Sequence, residues 1–432
     1  MIGWKTNTQN LVAPLRGRDF GLGVVNGVLF AGVDTLLDPS LVLVTLVGLW
    51  TGSPLVLGLV APLAQAGWYL PQLWVSGWLQ NKPTSLSIYR AMAVVRTLCL
   101  ISLAVMTVTV QDIGWKLMLF FVLLMANQLA AGFSGLSFMN VVAKVVPAGQ
   151  RGLFFAWRLM LGGILAIGAS VWVKNLLSPA SAVTFPANFA LMFLVAAVLG
   201  AAGMGAFAAV REPASEHVAP RASLRSQLGR AAGFLRTDAN YRRFLGLRLA
   251  LVVASMGTPF FAVYAMRELA VSPSSVGTFL AANVAASLIA YVVWGQVSAR
   301  TGNRIVMRWG TTLGIVALGM VLLARPLSSV ISPSVFFTLL FVLVGVRDAS
   351  INVASGPLLL DVAPAAWRPL YVGFSNTVVG VAVLLTTASG LIVVTAGYQV
   401  LFVISLVSFV IATWQISQYR EQPQVQSDTS YA

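Results

Sequence analysis

Charge is what this chain has least of. Only 9% of its 432 residues are Asp, Glu, Lys or Arg, against 58% hydrophobic residues, whereas soluble domains carry about 25% charged residues. So few charges cannot cover a soluble globule of this size. The same figures exclude disorder, because disordered chains are poor in apolar residues and rich in charge. The single cysteine, Cys99, rules out an intrachain disulfide. One histidine, one cysteine and twelve acids leave little material for a metal cluster, and neither a metal nor a cofactor is expected. No Gly-rich loop ends in Lys followed by Ser or Thr, so ATP-driven pumping lacks its phosphate cradle. The only histidine, His217, stands beside Glu216 in a polar stretch and reads as solvated. With no nucleophile near a histidine, hydrolytic chemistry lacks its parts and no enzyme is expected.

Long apolar runs are abundant. A helix needs about 20 mostly apolar residues to cross the hydrocarbon core, and helices satisfy their own backbone groups there. Twelve such runs are present, near Phe20–Leu46, Pro54–Trp78, Ile88–Val110, Trp115–Ala143, Gly152–Leu176, Phe185–Val210, Phe244–Met266, Ser274–Ser298, Ile305–Ala324, Ser334–Leu360, Leu370–Ala396 and Tyr398–Ser417. A membrane β-barrel would show short alternating segments instead. The sequence therefore predicts an all-α polytopic membrane protein with twelve transmembrane helices. No long apolar run precedes Phe20, so the first span reads as an uncleaved anchor.

The basic residues sort by side. With the N-tail, every second loop and the C-tail placed together, that side carries about 20 of the 27 Lys and Arg residues. The other side carries four, Lys116, Lys174, Arg267 and Arg325, and Arg96, Arg158 and Arg347 lie inside spans. Such a bias fits the positive-inside rule with both termini cytoplasmic, in a cell (inner or plasma) membrane. It also accounts for the net charge of +15, so nucleic acid is not an expected partner.

The chain divides six plus six. Residues 1–210 form a first six-helix bundle, 211–243 a polar cytoplasmic linker, 244–420 a second bundle, and 421–432 a polar tail expected to be disordered. In the linker, Leu224, Leu228, Ala231 and Leu235 recur at helical spacing among Arg225, Arg230 and Arg236. That pattern reads either as an amphipathic helix on the anionic inner leaflet or as a solvated linker with some helical content. The halves resemble each other. Val145-Val146-Pro147-Ala148-Gly149-Gln150-Arg151-Gly152 matches Val362-Ala363-Pro364-Ala365-Ala366-Trp367-Arg368-Pro369 at an offset of 217 (364 less 147). Gly77 to Pro83 matches Gly295 to Thr301 at 218 (295 less 77). Two landmarks at nearly one offset indicate parallel six-span repeats about an axis along the membrane normal.

This pattern resembles the major facilitator superfamily over nearly the whole chain. Gly295 through Arg304 is similar to the family's loop signature, with Gly302 flanked by Arg300 and Arg304. The first copy, Gly77 to Lys82, is weaker. Both copies depart at the usual acidic position, which is Asn81 in one and Ala299 in the other. In the family that acid clamps the outward-facing state, so helix dipoles and Arg contacts are expected to substitute here. Arg18-Asp19-Phe20 is similar to the family's start of span one. The family's drug antiporters carry Gly-Pro in span five, where this chain reads Leu161-Gly162-Gly163-Ile164, and the span-four Arg of many proton-coupled exporters is missing near Asn127. Both departures weaken the case for a drug/proton antiporter.

An ionisable side chain inside a span is costly and marks function by default. The resemblance implies that spans one, four, seven and ten line a central cavity, and Asp34, Asn127, Gln128, Arg347 and Asp348 fall on that set. Asp34 is the leading proton or cation acceptor; the alternative is that it pairs with Arg347 or another base and holds the halves together. Asp38 shares its helix face at i, i+4, or reaches the outer interface, and Pro39 is placed to kink the outer part of the span. Arg347 and Asp348, about 100° apart on a helix, are expected to point apart, one to the cavity and the other to a neighbouring span. Arg347 would hold an anionic substrate or a carboxylate. Arg158 either reaches the cavity, snorkels, or pairs within the first half. Asn127 and Gln128 bind substrate or satisfy each other. Gly77, Asn81, Lys82, Gly295, Arg300, Gly302 and Arg304 form the gating loops. Arg151 and Arg368, at equivalent corners, cap helix carbonyl ends and exchange ion pairs during gating, or are plain topology charge.

These residues predict a secondary active transporter of a small solute that works by alternating access, coupled to H+, as a monomer among membrane lipids. One rival keeps the fold for a lipid, another amphipathic molecule or a drug. The other is a non-transporting membrane scaffold or sensor.

Overall fold

The computed structural model describes residues 17–72, 75, 82–147, 151–214, 229, 233–363 and 368–419. The regular elements among them are helices. The first span is α1 (Arg18–Leu36), a π-helical turn at Pro39–Leu43 and α2 (Val44–Trp50). Then follow α3 (Pro54–Tyr69), α4 (Leu86–Thr109), α5 (Ile113–Val145), α6 (Arg151–Leu176) and α7 (Ala187–Ala208). The second set is α8 (Ala239–Ala254), α9 (Pro259–Glu268), α10 (Ser275–Thr301), α11 (Asn303–Leu322), α12 (Pro333–Val362), α13 (Arg368–Leu385) and α14 (Ala388–Gln418).

Local chemistry sets the ends. Asp112 and Asp238 accept hydrogen bonds from the backbone N–H of Trp115 and Tyr241, both at 2.9 Å, and so start α5 and α8. Pro54, Pro259 and Pro333 occupy first turns, where a missing N–H costs nothing. Gly302 takes φ +87° between α10 and α11, a conformation closed to most side chains. Gly397, at φ +84°, breaks α14 internally.

Among the described residues, ten helices are long and apolar enough to cross a membrane. The last of these, Leu370–Gln418, has 49 residues and contains the break at Gly397. The shorter Pro54–Tyr69 is also apolar. Counting the broken rod as two crossings and adding Pro54–Tyr69 is consistent with twelve. Val94, Leu98, Val198, Ile289 and Val292 are exposed on outer faces, as expected of helices that present apolar side chains to lipid.

The packing repeats. In the first set α4 packs on α5 and α7, α1 on α6 and α7, and α3 on α5. In the second, α11 packs on α12 and α14, α8 on α13 and α14, and α10 on α12. Each pair in one set has its counterpart six spans later. The sets meet where α6 packs on α10 and where α3 packs on α13 and α14. In α6, Gly162 lies over the Ala31 Cβ and Gly163 over Leu288, while Gly168 faces open space.

At the end opposite Gly17 and Tyr419 the two sets touch closely. Arg267 donates to the Gly52 carbonyl at 2.8 Å and the Thr51 carbonyl at 3.2 Å. Gly277 lies against the Lys174 backbone, and Gly58 against Gly390.

Arginines cap carbonyl ends at the other end. Arg90 donates to the Ala208 carbonyl at 2.7 Å and Arg18 to that of Ala209 at 3.2 Å. In the second set Arg304 donates to the Ser417 carbonyl at 2.6 Å and to that of Ile416 at 3.2 Å. Glu212 makes a further node that the sequence reading missed. Its side chain is 1% exposed and accepts from Lys144 Nζ at 2.6 Å, from the Ser85 N–H at 2.8 Å and from the Leu86 N–H at 2.7 Å. It thus places a carboxylate at the positive end of α4. Removing one member of a buried ion pair leaves the other charge uncompensated. Glu212→Ala is expected to reduce stability by about 3 kcal/mol, read as a lower melting temperature of purified protein. An unchanged melting temperature would show that the node contributes nothing.

The linker helix expected over residues 221–236 falls mostly outside the described residues, where only 229 and 233–237 are seen, as helix. His217 and the 421–432 tail also lie outside them.

Candidate functional site

Three cavities open between the helices. The first, about 320 Å³, lies among α3, α8, α9, α12, α13 and α14, and Arg248, Arg347 and Asp348 are in its wall. The second, about 530 Å³, lies among α1, α3, α4, α5 and α6 and includes Asp34, Arg96, Gln128 and Arg158. The third, about 440 Å³, lies among α1, α6, α10 and includes Asp34, Arg158 and Asn283. Gln65 and Tyr69 line both the first and the second; Phe30, Asp34 and Arg158 line both the second and the third. The cavities therefore share walls around the middle of the molecule, between the two helix sets.

Asp34 lies two residues from the end of α1 and is exposed within this space. Among the described residues it makes no ion pair; Arg96 and Arg158 are the cations that act on it electrostatically. Arg96 is 7% exposed, donates to Asn127 Oδ1 at 3.5 Å and lies 4.8 Å from the Phe30 ring centre. Arg158 donates to the Gly23 carbonyl and to Asn26 Oδ1, the latter at 3.1 Å. Its guanidinium stacks 4.5 Å from the Phe138 ring centre, a cation–π contact. Arg158 thus pairs within the first half and lines the cavity at once. Asn26 completes the group by donating to Tyr89 Oη and the Gly203 carbonyl, both at 2.9 Å.

Asp38 is differently employed. Its Oδ1 accepts from the Ser40 N–H at 3.0 Å and the Leu41 N–H at 2.7 Å, capping the π-helical turn that begins at Pro39. Asn127 is 1% exposed and donates to Gln128 Oε1 at 3.2 Å. Gln128 in turn donates to the Ala64 carbonyl of α3 at 2.8 Å. The two amides satisfy each other while Gln128 also faces the cavity.

Arg347 and Asp348 do not point apart as the helical wheel suggests. Arg347 Nε and Nη2 both lie 2.8 Å from Asp348 Oδ1. The guanidinium is long enough to fold back over one residue, and a neighbouring carboxylate is the stronger partner in a dry helix bundle. Arg347 therefore does not pair with Asp34. The Arg347 side chain is 4% exposed and that of Asp348 46% exposed. Arg347 Nη1 is buried with no hydrogen-bond partner among the described residues.

The gating residues scatter. Gly77 and Asn81 lie outside the described residues, as does the Arg368 side chain. Lys82 is half-buried, and Gly295 and Arg300 are exposed. Arg151 caps the end of α5 by donating to the Ala143 carbonyl at 2.7 Å and the Val146 carbonyl at 3.1 Å. Sequence reasoning missed Asn26, Tyr89 and Arg248 as parts of the site. Arg248 was counted among the loop charges, because it lies close to the start of its span.

Residues 243–430 match the family model described as Major Facilitator Superfamily. The second helix set of this chain is thus similar to that family in sequence. In fold, nearly the whole chain is similar to solved transporter structures. A bacterial homologue of the iron transporter ferroportin, in its inward-facing state, has a TM-score of 0.64 and 16% identity, covering 93% of this chain and 98% of that one. The nucleoside transporter NupG gives a TM-score of 0.66 at 14% identity over 94% and 99%, and the D-xylose-proton symporter 0.69 at 14% over 95% and 98%. At these identities the likeness is one of fold. In sequence, the uncharacterized protein Rv2209 of Mycobacterium tuberculosis is 23% identical over 257 residues, which are 59% of this chain and 49% of that protein. The chain spans about half the length of the curated relatives it matches. With ten helices of membrane-crossing length among the described residues, the chain is a multi-pass membrane protein.

Proposed function

We propose that this chain is a secondary active transporter that moves a small solute by alternating access. The observation that carries this reading is the shared set of cavities between two helix sets, with ionisable groups in their walls and the Arg267 latch at the end opposite Gly17 and Tyr419. In this reading residues 1–210 and 244–420 rock about the central space, joined by 211–243. The charge bias favours both termini in the cytoplasm, which makes the end fastened by Arg267 the outer one. Asp34 is the coupling group, most simply for H+, because it is exposed in the cavity and makes no ion pair there among the described residues. Asp38 shapes the bend beneath it. The fold relatives named above are transporters of unlike solutes, which supports transport and leaves the solute to be argued from this chain's own residues.

The test is uptake by proteoliposomes offered a panel of solutes under an imposed pH gradient. At least one solute is expected to accumulate, and a protonophore to collapse the accumulation. A solute that equilibrates without responding to the gradient would make the protein a facilitator. A solute that binds but never crosses would favour a sensor.

A further inference from the structure

The walls of the three cavities are not balanced in charge. They hold four arginines, Arg96, Arg158, Arg248 and Arg347, against two carboxylates, Asp34 and Asp348. A guanidinium keeps its charge at all accessible pH, and an uncompensated charge within a span is costly. The excess is most sharply defined in the first cavity. There Asp348 occupies Nε and Nη2 of Arg347. Nη1 remains buried and, among the described residues, without a hydrogen-bond partner; the residue is 3% exposed and its guanidinium lies 5.6 Å from the Phe409 ring centre. Arg248 lines the same cavity, and its Nη1 meets a neutral acceptor, Ser355 Oγ at 3.3 Å.

From this geometry we infer that the solute is an anion whose carboxylate or phosphate group binds in the first cavity against Arg347 and Arg248. The inference rests on the central space being the solute site. An oxyanion in this cavity compensates the second guanidinium, and a turn of the Arg347 side chain toward it would give Nη1 the acceptor it lacks. Arginine is suited to that role, since its planar donors match carboxylate and phosphate geometry. Hydroxyls of Ser40 and Ser389 supply further donors, while Val252, Val379 and Val383 offer an apolar wall for an organic body. The volume of about 320 Å³ is at the small end of ligand cavities, about 300–1,000 Å³, so the solute is compact. The acid in this cavity's lining, Asp348, already has its charge offset by Arg347 through Oδ1, which leaves Arg248 as the surplus charge.

Equilibrium binding to the purified full-length protein tests this without any transport step, so its failure is separable from a failure of the transporter reading. The probes are inorganic phosphate, succinate and benzoate, with succinamide and 1,4-diaminobutane as neutral and cationic counterparts, followed by titration calorimetry and thermal shift. At least one anion is expected to bind, and its counterparts not to. Arg347→Gln and Arg248→Gln are each expected to weaken that binding about tenfold or more, the loss of one charge-assisted hydrogen bond. The comparison of succinate with succinamide on the unaltered protein stands even where an arginine variant fails to fold. Binding of the amide or the diamine as tight as that of the anions, no binding of any anion at millimolar concentration, or anion binding indifferent to both arginine substitutions would each overturn the inference.

Discussion

Gly277→Val is expected to force open the end of the molecule that is now closed. A Cβ at Gly277 would overlap the Lys174 backbone nitrogen and lie 2.5 Å from its Cα. Backbone atoms cannot turn aside as a long side chain can, so the helices themselves must part. The second crossing is of the same kind, for a Cβ at Gly58 would lie 2.6 Å from the Gly390 nitrogen and 2.8 Å from its Cα. Overpacking of this sort costs about 1–3 kcal/mol, and each 1.4 kcal/mol changes a two-state ratio about tenfold. A valine at Gly277 or at Gly390 therefore converts a mostly closed end into a substantially open one. Paired spin labels at Ser53 and Ser272, in a Cys99→Ser background, report the separation directly. The distance distribution is expected to gain a longer component in both variants. A folded variant with an unchanged distribution would show that this contact does not govern opening.

Asp34→Asn is expected to abolish gradient-driven accumulation while leaving solute exchange intact. The physical reason is the cost of carrying charge through a closed state. Placing a carboxylate at the centre of a bilayer costs about 2.5–3.5 kcal/mol on insertion scales, and a bound proton removes that cost for one leg of the cycle. Asn is fixed in the neutral form, so the group can no longer couple movement to proton occupancy. Counterflow needs only the loaded carrier to reorient and therefore persists. Asp34→Glu keeps the titrating group and is expected to restore part of the accumulation. The decisive measurement is the accumulation ratio under an imposed pH gradient beside the counterflow rate in the same vesicles. Accumulation equal to that of the unaltered protein would remove Asp34 from the coupling role.

The fold was legible in the sequence because lipid leaves so little choice of backbone. Apolar runs of the required length, a one-sided distribution of Arg and Lys, and two landmarks at nearly one offset are what spanning a bilayer many times with a repeated unit leaves in a sequence. Pro39 announced the break in the first span, since proline cannot donate to the preceding turn. Gly397 gave no such warning, as glycine in an apolar run signals close packing as readily as a turn. Asp34, Arg158, Arg347 and Asp348 stood out because an ionisable residue among apolar neighbours has few alternatives. Their partnerships did not, because these depend on what other helices bring. The Arg347–Asp348 contact contradicts a wheel projection that ignores side-chain length. Asn26 and Tyr89 are common polar residues until the structure sets them 2.9 Å apart. Arg248 read as a boundary charge, and Glu212 as one acid in a polar stretch.

The latch at the closed end has an unusual address. Arg267 holds the opposite helix set through the carbonyl oxygens of Thr51 and Gly52, which every amino acid supplies. Side-chain drift at those two positions leaves the acceptors where they are. Selection on this fastening therefore concentrates on a single codon, that of residue 267, while its receiving strip is free to diverge.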